Sequence, residues 1–188
     1  MCRACPLWRG ATQTVMGEGP AHASLMLAGE QPGDQEDLQG HVFVGPAGEV
    51  LNRALEAAGI SRSEVYITNA VKHFKNVARG KRRLHQRPKR DEIEICNRWL
   101  MEELRLVAPK LAVALGGTAA VALIGRNVVI ARERGTFHRG RHGGEVLVTT
   151  HPSFILRLPN AAARERELNS LVADLVIARE RLAVLGAS

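Results

Sequence analysis

With 188 residues, 45% of them hydrophobic, the chain is long enough to close one α/β core and too apolar to remain disordered. Nowhere does an apolar run reach the roughly eighteen residues of a membrane-spanning helix. Lys and Arg outnumber Asp and Glu 26 to 19, a formal charge of +7 that suits a polyanionic partner.

Cys2 and Cys5 open the chain as a C-x-x-C pair, and Cys96 stands far downstream. An odd cysteine count argues against a disulfide framework, leaving the pair as metal ligands or as two unrelated small residues. No signal-peptide pattern precedes the first motif, so a cytoplasmic protein is expected. Residues 24–28 (SLMLA) read as a buried strand entering the Gly/Pro-rich turn GEQPGDQED. Residues 48–58 carry apolar side chains at helical spacing and stop at Gly59. A second strand is predicted over 65–71 (VYITNAV).

Next comes a stretch, 72–90, without a single acidic residue. Its end, GKRRLHQRPKR over 80–90, has six Lys or Arg among eleven residues and one histidine, His85. It reads as a basic loop where phosphates rest. A helix over 91–107 is closed by Pro109. A third strand over 111–115 (LAVAL) meets Gly116-Gly117 and a short helix to 124. A fourth strand over 145–150 (EVLVTT) ends at His151-Pro152-Ser153, and a long helix over 161–185 follows.

Four strand-like segments alternating with helices predict a three-layer α/β/α domain over residues 1–188, with a central four-stranded parallel sheet. In such sheets ligands bind beyond the carboxyl ends of the strands. The polar residues gather there: Glu30 after the first strand, Asn69 at the end of the second, His151 after the fourth. Phe43, one of four phenylalanines, precedes a Gly-Pro-Ala-Gly turn. A carboxylate, a stacking ring, an amide able to read a base edge and an imidazole suit a pocket for an extruded base. Singly, each has a plainer reading as a turn, core or strand-capping residue.

Taken in order, GEQPG, FVGPAG, TNAVKH, LGGTAA and HPS resemble the motifs of the uracil-DNA glycosylase superfamily, in its iron–sulfur, family-4-like branch. KRRLH resembles, more narrowly, the UdgX type, whose loop histidine becomes joined to DNA after uracil is excised. The usual KRRIH differs by one Leu-for-Ile exchange. The resemblance implies a monomer acting on uracil-containing DNA, with Glu30, His85 and His151 catalytic. It assigns Gln31, Asp34, Phe43 and Asn69 to uracil, with Gln31 acting mainly through its backbone. To DNA it assigns Gly45, Pro46, Gly48, Lys81, Arg82, Arg83, Ser153 and Arg157.

The resemblance also implies a [4Fe–4S] cluster held by Cys2, Cys5, His73 and Cys96. Histidine replaces the third cysteine of family 4, as in UdgX-type chains, and imidazole can ligate iron. A three-cysteine zinc site beside a surface His73 stays open as the alternative. Two functional alternatives stay open as well: a multi-turnover glycosylase whose basic loop only grips DNA, and a non-catalytic iron–sulfur protein that binds nucleic acid.

Overall fold

The computed structural model describes residues 2–80 and 82–186. Strand β1 (Leu25–Gly29) leads through the short helix α1 (Asp34–Gln39) and α2 (Pro46–Ala57) to β2 (Val65–Asn69). A separate two-stranded ribbon follows, β3 (Asn76–Arg79) with β4 (Arg82–His85), and then helix α3 (Arg90–Val107). Next come β5 (Leu111–Leu115), α4 (Gly117–Ile124), the single turn α5 (Ile130–Glu133), β6 (Phe137–Arg139) and β7 (Glu145–Thr149). Helices α6 (Pro152–Leu156) and α7 (Ala161–Gly186) complete the described chain.

The main sheet runs β2-β1-β5-β7-β6. Its first four strands are parallel, as expected, and β6 adds an antiparallel edge against β7. The sheet is therefore five-stranded rather than four-stranded. At three residues (FHR), β6 is too short for alternation to mark it in the sequence.

Strand alternation sorts the core into two layers. Leu25, Leu27, Val65, Ile67, Leu111, Val113 and Leu147 pack toward α2 and α7. Met26, Ala28, Ala112, Ala114, Val146 and Val148 pack toward α3 and α4. On that second face, alanines of the strands meet Ala119, Ala120 and Ala122 of α4, so helix and sheet approach closely. The chain leaves β1 toward one neighbour, β2, and later supplies the other, β5. A topological switch therefore lies between β1 and β5, where a crevice opens at their carboxyl ends.

The first residue of the basic stretch lies in the interior. Lys72 is fully buried, and its ammonium donates to Glu103 Oε2 (2.6 Å), Thr68 Oγ1 (2.6 Å) and the Asn69 carbonyl (2.7 Å). All three ammonium hydrogens are used. Glu103 also accepts from the Gly17 amide (2.9 Å) and from Thr68 Oγ1 (2.8 Å), which leaves the pair compensated on both sides.

Candidate active site

A cleft of ≈1210 Å³ occupies the β1/β5 crevice, and Glu30, the residue after β1, lies in its wall. One carboxylate oxygen, Oε2, accepts from Thr118 Oγ1 at 2.5 Å. The other, Oε1, faces His85 Nε2 at 3.3 Å. Arg87 Nε stands 4.0 Å from Oε2. Burial raises the Glu30 pKa, but contacts from His85 and Thr118, together with the imidazoles of His85 and His151, outweigh it. The net shift is downward, favouring a carboxylate.

His151 follows β7 and caps α6. Its Nδ1 accepts from the Ser153 amide (3.1 Å), with Ser153 Oγ 2.8 Å away. A neutral ring held this way carries its hydrogen on Nε2. Burial pushes the His151 pKa down to about 4, with Arg157 and His85 pushing the same way against Glu30. The site thus holds an imidazole that is neutral near pH 7 and can donate without being charged.

Phe43 packs against His151, ring centroids 5.9 Å apart and planes 31° from parallel. Its φ of +51° is rare for a bulky residue, a sign that the surroundings hold the ring in place. Part of that hold is Gly48, where a Cβ would run into the Phe43 carbonyl. Gly45 and Pro46 start α2, and the Gly45 amide donates to Glu36 Oε1 (2.8 Å). Asn69 is 2% exposed, and its Oδ1, buried beside the cleft, has no partner among the described residues.

The basic stretch is not a free loop but the β3–β4 ribbon, pairing Asn76 with His85 and Arg79 with Arg82. Its base is clasped by Gln31. The Gln31 amide donates to the Lys75 (3.2 Å) and Gln86 (3.1 Å) carbonyls, and its oxygen accepts from the Lys75 amide (3.2 Å). The Gln31 side chain is thereby committed to the ribbon.

Arg83, expected to meet phosphate, is committed as well. It donates to Asp34 Oδ1 (2.7 Å) and Asp37 Oδ2 (2.5 Å), and it lies over the Phe74 ring. Asp34 lines the cleft with one oxygen on this arginine. Arg82 remains exposed. Lys81 lies outside the described residues. Arg157 lines the cleft and donates to Ser153 Oγ at 3.2 Å.

Two site residues escaped the sequence reading. Thr118 stands in LGGTAA directly after a strand end, a placement that could have flagged it. Arg87 was hidden among its basic neighbours.

The expected metal ligands lie near one another beside the base of the ribbon, where His73 precedes β3. Thr14 Oγ1 bridges them, accepting from the Cys2 amide (3.2 Å) and lying 3.0 Å from His73 Nε2. The Cys2 sulfur accepts from Trp99 Nε1 (3.3 Å) and the Cys96 sulfur from the Lys72 amide (3.3 Å). Cys5 and Cys96 share one apolar cluster. Burial pushes the Cys96 thiol up to about 11, against the Lys72 amide and ammonium. Among the described residues, no three His, Cys, Asp or Glu side chains are grouped to hold a single metal ion. N–H groups donating to sulfur in an apolar corner do fit the thiolates of a larger group such as a cluster.

A carboxylate, a neutral imidazole, an aromatic ring and a buried amide oxygen thus share the crevice at the switch point of the sheet, the place where enzymes of this architecture hold their ligands. Residues 16–176 match the Uracil DNA glycosylase superfamily, and the chain belongs to that family. The type-4 uracil-DNA glycosylase of Thermotoga maritima is 35% identical over 174 residues, covering 92% of this chain and 84% of the relative. That of Pyrobaculum aerophilum is 35% identical over 165 residues, covering 84% and 81%. The Saccharolobus solfataricus protein of the same type is 34% identical over 166 residues, covering 84% and 74%.

Proposed function

We propose that the protein excises uracil from DNA and that His85 then captures the abasic sugar, leaving protein and DNA covalently joined. The observation that carries this reading is His85 Nε2 at 3.3 Å from Glu30 Oε1, a ribbon histidine set against the cleft carboxylate.

The uracil, single-stranded or extruded from a duplex, enters the cleft. Phe43 stacks on it, and Asn69 pairs with N3–H and O4. As the C1′–N1 bond breaks, the sugar gains oxocarbenium character and the base leaves as an anion. His151 Nε2–H donates to that anion without itself being charged. One ring nitrogen of His85 forms the new bond to C1′ through its lone pair, and the proton displaced from the other ring nitrogen passes to Glu30. The released uracil anion takes a proton from solvent.

A nucleophile held at the reacting carbon outcompetes water through an effective concentration of ~10⁵ M or more. The product is a neutral N-alkylimidazole with no good leaving group, so the chemistry is single-turnover. A [4Fe–4S] cluster on Cys2, Cys5, His73 and Cys96 would supply a structural tie between the N-terminus, the start of the ribbon and α3. Exposed Arg82 and cleft-lining Arg157 would meet phosphates.

The test is mass spectrometry of the protein after incubation with a uracil oligonucleotide, which should place the added mass on the peptide containing His85. His85→Ala should abolish complexes that survive SDS, and His85→Ser should admit water and turn over. The names of the relatives favour a second reading, a multi-turnover glycosylase whose ribbon only grips DNA. Many uracils released per molecule, with no SDS-resistant species, would select it.

A further inference from the structure

Thr118 has no part in the reaction above, yet it is bonded to the residue at its centre. Its hydroxyl donates to Glu30 Oε2 at 2.5 Å, and it is 2% exposed at the wall of the cleft. The two residues come from opposite sides of the topological switch, Glu30 from the end of β1 and Thr118 from the first turn of α4, just past β5.

The backbone that delivers Thr118 is tightly constrained. Gly116 has φ +88° and donates its amide to the Thr149 carbonyl (2.9 Å); a Cβ there would lie 2.9 Å from that of His151. Only glycine turns the chain at that place without strain. The start of α4 is therefore wedged between the strand end that carries Glu30 and the one that carries His151. A β-branched side chain in a helix is stiff about its first torsion, so the hydroxyl has few other places to point. With Oε2 pinned, the Glu30 carboxylate cannot spin, and Oε1 is left facing His85.

We propose that Thr118 is a positioning residue for excision: its hydroxyl fixes the rotation of the Glu30 carboxylate and thereby aims Oε1 at the reacting side of the cleft. This rests on Glu30 acting in excision itself, its carboxylate facing the positive charge that develops on the sugar as the base leaves, as well as receiving the proton displaced from His85. Thr118 is not itself a catalytic residue, since nothing in the reaction touches it.

The experiment is single-turnover uracil release from a single-stranded uracil oligonucleotide across pH, with thermal melts. It compares the unsubstituted protein with Thr118→Val, Thr118→Ser and Glu30→Gln. Valine keeps the shape and loses the donor, so excision should slow by about 10²-fold, the scale of a small misplacement of a catalytic group. Oligonucleotide affinity should be unchanged. The acid limb of the pH profile should move to higher pH, because a donor that favours the carboxylate is gone. Serine should restore both rate and acid limb.

If Thr118→Val excises normally with its acid limb unmoved while Glu30→Gln is inactive, the positioning role is wrong and the Glu30 reading stands. If Glu30→Gln excises normally, the reading beneath the proposal fails instead. Equal slowing by valine and serine, tracking lost melting temperature, would overturn the proposal in favour of a packing role.

Discussion

Asn69 Oδ1 is a buried acceptor that meets no donor among the described residues. Such a group is held at a disadvantage of about 1–3 kcal/mol, which a ligand N–H removes on binding. A uracil methylated at N3 offers no such hydrogen and adds bulk, so an oligonucleotide carrying it should be excised at least about 10²-fold more slowly, measured by base release. His151 carries a different signature. Its pKa is about 4 when folded against 6.5 in an unperturbed chain, so the unfolded state binds more protons between those values. Stability should therefore fall as pH drops from about 6.5 to about 4, by up to about 3 kcal/mol, and level off below. Urea titrations over that range should show the slope, and His151→Gln should remove its share.

At the scale of elements, the ribbon separates two arginines that look alike in sequence. Neighbouring residues of β4 point to opposite sides, which leaves Arg82 exposed and sends Arg83 to Asp34 and Asp37. Arg82→Ala should flatten the dependence of DNA affinity on salt by about 0.7 in log–log slope for one lost single-strand phosphate contact. Arg83→Ala should leave that slope alone and lower melting temperature, since it strands the buried Asp37.

The same ribbon marks where sequence reading stops. The four parallel strands are legible because they are apolar runs broken by turn residues, and α2 and α3 are legible from their periodic apolar faces. Nothing periodic marks α1, whose DQEDLQ holds one apolar residue, the exposed Leu38. Its position comes from a cap, with Glu36 taking the Gly33 amide, and from contacts outside the helix, with Asp37 taking the Thr12 amide and Glu36 the Gly45 amide. Glu30, Asn69 and His151 could be placed together because strand ends define a site. The Glu30–Thr118 bond could not, because it joins residues 88 positions apart through a turn whose direction depends on packing.

For the molecule as a whole, the Lys72–Glu103 pair is the most exacting element of the interior. Removing one charge strands the other, so Glu103→Gln should lower stability by about 3–5 kcal/mol in denaturant unfolding. Replacing both with apolar residues of similar size should cost less than that single change. The pair also bonds the Asn69 carbonyl, so its loss reaches the cleft.

Gln31 clasps the ribbon, Asp34 and Asp37 hold Arg83, and all three directly follow Glu30 or lie within the next short helix. The ribbon that carries the histidine is thus held by one small unit beside the carboxylate, to which α4 adds only the Thr118 bond that orients Glu30. That makes the arrangement portable in principle, but only as a unit. Copying GKRRLHQRPKR alone into a chain lacking the glutamine and the aspartates would transfer the histidine without the contacts that bring it to the carboxylate.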